Sequence, residues 1–86
     1  MKTDCFYVYA GRPVAIEKLL DGDMAEIRHI QRDLDNLTEV VPCSHLTELT
    51  QKMAVTNINK LCELRDQQAG KYNMVIHAYE ECMRYM

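Results

Sequence analysis

The spacing of the apolar residues constrains the fold of this chain more than any other feature of its sequence. From Ile27 to Val41, apolar residues recur after alternating steps of three and four, which is the stripe of an amphipathic helix. The same spacing returns from Leu46 and again from Tyr72. We therefore predict an all-α fold, a small bundle of three main helices. These helices are expected over residues 24–41, 45–67 and 71–86.

Proline and glycine mark the expected ends of these helices. Pro13 suits the first turn of a short helix over residues 13–20, because its missing N–H would have no partner there. Gly22 weakens a helix, so we place a break at that point. Pro42 cannot continue a helix and ends the long one before it. The polar segment around Gly70 predicts the turn between the last two helices.

Residues 5–10 are the ambiguous part of the sequence. Their aromatic and β-branched side chains favour a strand. Asp4 could instead cap a short helix that ends at Gly11. An all-α chain offers a strand no internal partner, so a strand here would have to pair with a second copy. We predict an N-terminal apolar arm or short helix, with the strand as the alternative.

The length and charge of the chain narrow its class. Its 86 residues suffice for a single domain over residues 1–86. The net charge of −3 differs from the basic excess of most nucleic-acid binders, so we do not expect a nucleic-acid partner. No run approaches the roughly 18 apolar residues of a membrane-spanning helix, and no apolar secretory signal follows Met1. We expect a cytoplasmic protein with reduced cysteines and no membrane partner.

The residues that could support chemistry do not form a recognisable site. Cys43 and His45 lack the close second pair of ligands that structural zinc requires. Each histidine has a glutamate three positions away, but these pairs lie off the apolar stripes and fit solvated ion pairs better than metal ligands. The pairs are Glu26 with His29, His45 with Glu48, and His77 with Glu80. We therefore predict a non-catalytic protein without a metal or cofactor.

The middle helix has a wider apolar surface than a three-helix core needs. Surplus apolar surface of this kind often marks association between molecules. We predict a homodimer or larger oligomer; the alternative is a monomer whose N-terminal arm covers the surface. The expected interface residues are Val55, Ile58 and Cys62.

Aromatic and arginine side chains gather at both ends of the chain, and these residue types are enriched at protein interfaces. The expected partner-binding residues are Phe6, Tyr7, Tyr9, Arg12, Arg84 and Tyr85. They suggest a protein–protein interaction module, a regulator, adaptor or inhibitor that occupies a surface of another macromolecule. The alternative is a regulator that binds a small ligand or nucleotide, with Tyr7 and Tyr9 stacking on a ring and Arg12 neutralising an anion.

Overall fold

The structure, a computed structural model, describes residues 2–34, 37–67 and 72–86. A five-stranded antiparallel sheet is followed by two helices. The strands are β1 (Phe6–Tyr9), β2 (Arg12–Leu20), β3 (Met24–His29), β4 (Thr38–Pro42) and β5 (Thr47–Glu48). The helices are α1 (Gln51–Gln67) and α2 (Asn73–Met83). The fold is therefore mixed α/β, and the all-α prediction is wrong.

The error lies in the first half of the chain. Residues 13–20 lie in β2 and residues 24–41 include β3 and β4, where helices were predicted. Residues 5–10 contain β1, which pairs with β2 of the same chain and needs no second copy.

The last two predicted helices correspond to α1 and α2, which are shorter. The predicted turn around Gly70 and the predicted helix start at Lys71 lie outside the described residues.

Tight turns make the first three strands a meander. Ala10 and Gly11 connect β1 to β2 with φ angles of +52° and +78°. Two successive positive φ values define the type I′ turn, whose twist matches that of the strands beside it. The next turn also uses the left-handed region, at Gly22 (φ +75°) and Asp23 (φ +57°).

The strand order β4-β3-β2-β1-β5 requires the sheet to curl. β4 and β5 occupy opposite edges, yet residues 43–46 alone connect them. Five flat strands would hold these edges about 19 Å apart. Cys43–His45 forms a 3₁₀ helix, which rises only about 2 Å per residue. A short compact link of this kind reaches across only if the edges approach each other, so the sheet has an inner and an outer face.

Each face of the curled sheet has its own core. The inner face buries Tyr7, Val14, Ile16, Ala25, Ile27 and Val41, a cluster to which neither α1 nor α2 contributes a residue. The outer face packs Phe6, Val8 and Ile30 against a second cluster. That cluster contains Leu49, Ala54, Val75, Tyr79 and Cys82.

The Tyr79 hydroxyl connects the helices to the sheet. Tyr79 is fully buried, and its hydroxyl donates a hydrogen bond to the Gly11 carbonyl at 2.7 Å. The same oxygen accepts a hydrogen bond from Asn57 Nδ2 at 3.3 Å. One side chain thus joins α2, α1 and the β1–β2 turn.

Candidate functional site

A groove of about 620 Å³ lies between α2 and the outer face of the sheet, and we call it the partner groove. Its less exposed apolar lining residues include Phe6, Ile30 and Ala78. Arginine, glutamate, histidine and tyrosine side chains surround them. These are Arg28, Arg32, His77, Glu80, Glu81, Arg84 and Tyr85.

Strand alternation and helix periodicity place these side chains together. Arg28 lies on the outer face because it is opposite Ala15, next to Phe6 in the same row of the sheet. On α2, Met74, Ala78 and Glu81 are separated by four and three residues, so they share one helix face, and Tyr85 follows the helix. The groove therefore depends on the packing of α2 over the sheet.

The groove has an excess of arginine in a chain with an excess of acid. Three of the five arginines in the sequence line it, against two glutamates, while the whole chain has a net charge of −3. Arg28 Nε contacts Glu17 Oε1 at 2.6 Å, whereas Arg84 Nη1 lies 3.9 Å from Glu81 Oε2. Within the described ranges, Arg32 makes no ion pair. The guanidinium of Arg32 is thus available to an anionic group.

Three of the six predicted partner-binding residues meet in the partner groove. Phe6 comes from β1, and Arg84 and Tyr85 follow the last turn of α2, so the fold joins the two ends of the sequence. Tyr85 is 74% exposed, the largest exposure among the bulky apolar side chains described.

The other three lie elsewhere. Tyr7 is 5% exposed in the inner core, and its hydroxyl bonds the backbone N–H and carbonyl of Lys2 at 3.0 and 3.1 Å. Tyr9 is half-buried and packs against the same core. Arg12 lines a different groove. A stacking platform made from Tyr7 and Tyr9 is therefore not present on the surface.

The predicted interface residues lie on α1. Val55 is 43% exposed, and Cys62 is half-buried. Ile58 packs against the second core cluster, so part of its surface already has a partner within the chain. The homodimer remains a prediction.

Sequence reasoning missed Arg28 and Arg32 as groove residues, because a helix over this segment would expose them as a solvated surface. A usable signal was present. In an extended chain, residues two apart point to the same side, so Arg28 and Ile30 share the outer face.

His77 and His29 contact glutamates at different sequence separations. His77 Nδ1 lies 3.7 Å from Glu80 Oε1, in the side-chain contact expected from their spacing. His29 instead lies 3.3 Å from Glu39 on β4 and is only 7% exposed. On a strand, residues three apart point to opposite faces, so Glu26 and His29 cannot pair as they would on a helix.

Two cysteine thiols are held in their protonated form. Burial raises the pKa of Cys82 to about 12. Desolvation, together with hydrogen bonds to Glu48 and Asp4, raises the pKa of Cys5. A thiol with a raised pKa is a poor nucleophile at neutral pH, since the thiolate is the reactive form. Among the described residues, no group of three or more His, Cys, Asp or Glu side chains is arranged to hold a metal ion.

Neither described helix combines the length and the apolar character needed to cross a bilayer. Comparison with known proteins gives no match: no family model, curated protein or solved structure is similar to this chain.

Proposed function

We propose that this chain is a non-catalytic protein-interaction module whose partner groove binds an acidic segment of another protein. The observation that carries the proposal is the convergence of three arginines and two aromatic rings on one groove in a net acidic chain. Arginine recognises carboxylates through two parallel hydrogen bonds, and Arg32 has no described carboxylate partner.

The size and lining of the groove favour a short peptide segment. A volume of about 620 Å³ falls within the roughly 300–1,000 Å³ typical of ligand sites. Phe6 and Ile30 offer an apolar surface for one anchoring side chain, and Tyr85 offers a ring with a polar tip. The segment that fits best has an aliphatic or aromatic residue flanked by aspartate or glutamate.

A nucleic acid fits this groove less well than an acidic peptide. Glu80 and Glu81 line the same groove and would repel a continuous row of phosphates. A peptide can place a single carboxylate near Arg32, which has no described carboxylate partner, and needs no row of charges that would run past Glu80 and Glu81. We therefore favour a protein partner, and propose an adaptor or inhibitor that acts by occupying a segment of it.

The four free cysteines favour a cytoplasmic location for this activity. Reducing conditions in the cytosol keep thiols unpaired. We propose the cytoplasm as the compartment in which the partner is met.

Selection from a random peptide display library tests the function. We expect the wild-type protein to enrich peptides that carry acidic residues beside one large apolar residue. The double variant Arg32→Glu and Arg84→Glu should bind the selected peptides at least about tenfold more weakly, which corresponds to about 1.4 kcal/mol. Raising the salt concentration should weaken wild-type binding, because the contacts are exposed to solvent.

The matched control is the double variant Lys52→Glu and Lys60→Glu, which makes the same change in charge at exposed positions on α1. Its binding should equal that of the wild type. Failure to enrich any acidic peptide, or equal losses in both double variants, would refute the proposal.

A further inference from the structure

The partner groove runs along the whole length of α2. Its lining follows this helix from Met74 in the first turn, through Ala78 and Glu81, to Tyr85 just past the end. At 1.5 Å per residue, this stretch covers about 16 Å. A groove that follows a helix over this distance is long enough to hold a second helix of about three turns beside it.

The strands that form the sheet wall of the groove are paired on both sides. Phe6 lies on β1, which pairs with β2 and β5, and its carbonyl accepts a hydrogen bond from the Leu49 N–H at 2.9 Å. Arg28 lies on β3, which pairs with β2 and β4. The opposite wall, α2, uses its backbone groups within the helix. An extended segment would therefore turn its own N–H and C=O groups towards walls without backbone partners, whereas a helix pairs these groups internally.

The lining of the groove requires an occupant with one apolar face and one acidic flank. Phe6 and Ile30 supply apolar surface, and Arg32 makes no ion pair within the described ranges. Glu81 lies 3.9 Å from Arg84 and offsets part of its charge. On a helix, side chains three and four residues apart form one face and the residues between them form the flanks. A single amphipathic helix can thus present leucine-like residues to the sheet and a carboxylate to Arg32.

We propose, building on the function proposed above, that the segment bound in the partner groove is an acidic amphipathic α-helix of another protein. It lies beside α2 and is about three turns long. Its apolar residues, spaced three and four apart, contact Phe6, Ile30 and Ala78. A carboxylate on its flank pairs with the guanidinium of Arg32.

Two peptides of the same composition test the proposal by calorimetric titration. Each has about fourteen residues, a length at which an isolated helix is marginal in water, and each contains the same numbers of leucine, glutamate and alanine. The helical peptide has its leucines three and four apart, and the alternating peptide has them at every second position. We expect the helical peptide to bind the wild type at least about tenfold more tightly. Its helical circular dichroism should rise on binding beyond the sum of the separate spectra.

Variants of the peptide and of the protein place this helix in the groove. A proline at the centre of the helical peptide should weaken binding at least about tenfold, because proline disrupts a helix interior. Arg32→Glu, at an exposed position, should weaken binding about fivefold. Lys52→Glu makes the same change in charge at an exposed position on α1 and should leave binding unchanged.

The outcomes separate the helix from the broader function. If both peptides bind equally, if the central proline is tolerated, or if no helical signal is gained, the helix is wrong and the binding of an acidic segment stands. If neither peptide binds the wild type at millimolar concentration, the helix is also wrong. The proposed function fails with it only if display selection likewise enriches no acidic peptide.

Discussion

At the scale of single residues, the backbone of Ala10 is the clearest source of strain. Its φ of +52° lies in the left-handed region, which costs a residue with a Cβ roughly 1–2 kcal/mol. Asparagine tolerates this region, and Asn-Gly is the favoured sequence for a type I′ turn. We expect Ala10→Asn to raise the free energy of unfolding by about 1 kcal/mol, measured by urea denaturation. Ala10→Val should lower it, because a β-branched side chain is poorly tolerated there; the opposite ranking would contradict the turn assignment.

Because of the Cys82 thiol, the free energy of unfolding should depend on pH in the alkaline range. Burial raises its pKa from 9.0 to about 12, so the unfolded chain loses this proton at a lower pH than the folded one. The stabilisation is complete below about pH 9 and is lost as the pH rises towards 12. We expect the free energy of unfolding to fall across this interval by at most about 1.4 kcal/mol per pH unit from this group.

Urea unfolding of Cys82→Ala across the same pH interval checks this expectation. The variant should show a shallower alkaline decline than the wild type. Some decline should remain, because burial also raises the pKa of Tyr79. Val75→Ala, a truncation at a buried apolar position on the same helix, is the control and should keep the wild-type slope. Equal slopes in the wild type and Cys82→Ala would contradict the assignment.

At the scale of elements, Pro42 protects the open edge of β4. The Cys43 N–H bonds the Asp23 carbonyl at 2.8 Å, and antiparallel strands alternate between paired and outward backbone groups. Thr38, Val40 and Pro42 therefore have their backbone groups directed away from β3. Proline has no N–H to offer at this edge, which limits pairing with another chain.

Replacing Pro42 should allow the β4 edge to pair with a strand of another molecule. We expect Pro42→Thr to increase self-association, measured as a concentration-dependent rise in mass by light scattering. Adding Val40→Lys should reverse the effect, because a charged side chain at an exposed edge position opposes pairing. An unchanged mass for Pro42→Thr would show that Pro42 is not what prevents pairing at this edge.

Burial on both faces of the sheet explains why the strands resembled helices in the sequence. Ile27 lies in the inner core and Ile30 packs against the outer one, so both alternating positions are apolar and the period of two is obscured. The break at Gly22 and the strand alternative for residues 5–10 could be predicted, although the break was placed between two helices. The pairing of β1 with β2 could not be, because it depends on tertiary contacts that override the helix propensity of residues 13–20.

Some residues of the partner groove could be predicted from composition, whereas others could be identified only from the fold. Phe6, Arg84 and Tyr85 were predicted from the concentration of aromatic and arginine residues at the chain ends. Tyr7 was assigned to the same surface, although alternation along β1 directs it into the inner core. Correct selection between Phe6 and Tyr7 requires knowledge of which face of β1 the helices cover.

At the scale of the whole molecule, self-association through α1 remains the main untested prediction. Val55 is 43% exposed on α1, and Leu19 is equally exposed on β2. If α1 forms a homodimer interface, Val55→Lys should reduce the mass in sedimentation equilibrium to the monomer value of 10.0 kDa, and Leu19→Lys should not. A wild-type mass of 10.0 kDa, or dissociation by both variants alike, would contradict an interface on α1.

Several of the residues that pack over β1 come late in the sequence. Phe6 and Val8 on β1 pack against a cluster that includes Val75, Tyr79 and Cys82 of α2, which follows all five strands. During translation, the sheet segments therefore leave the ribosome before the helix that shields their outer side. Until α2 emerges, the nascent chain exposes a hydrophobic surface of the kind that chaperones bind. Burial of this surface, and release from such protection, thus depend on synthesis of α2.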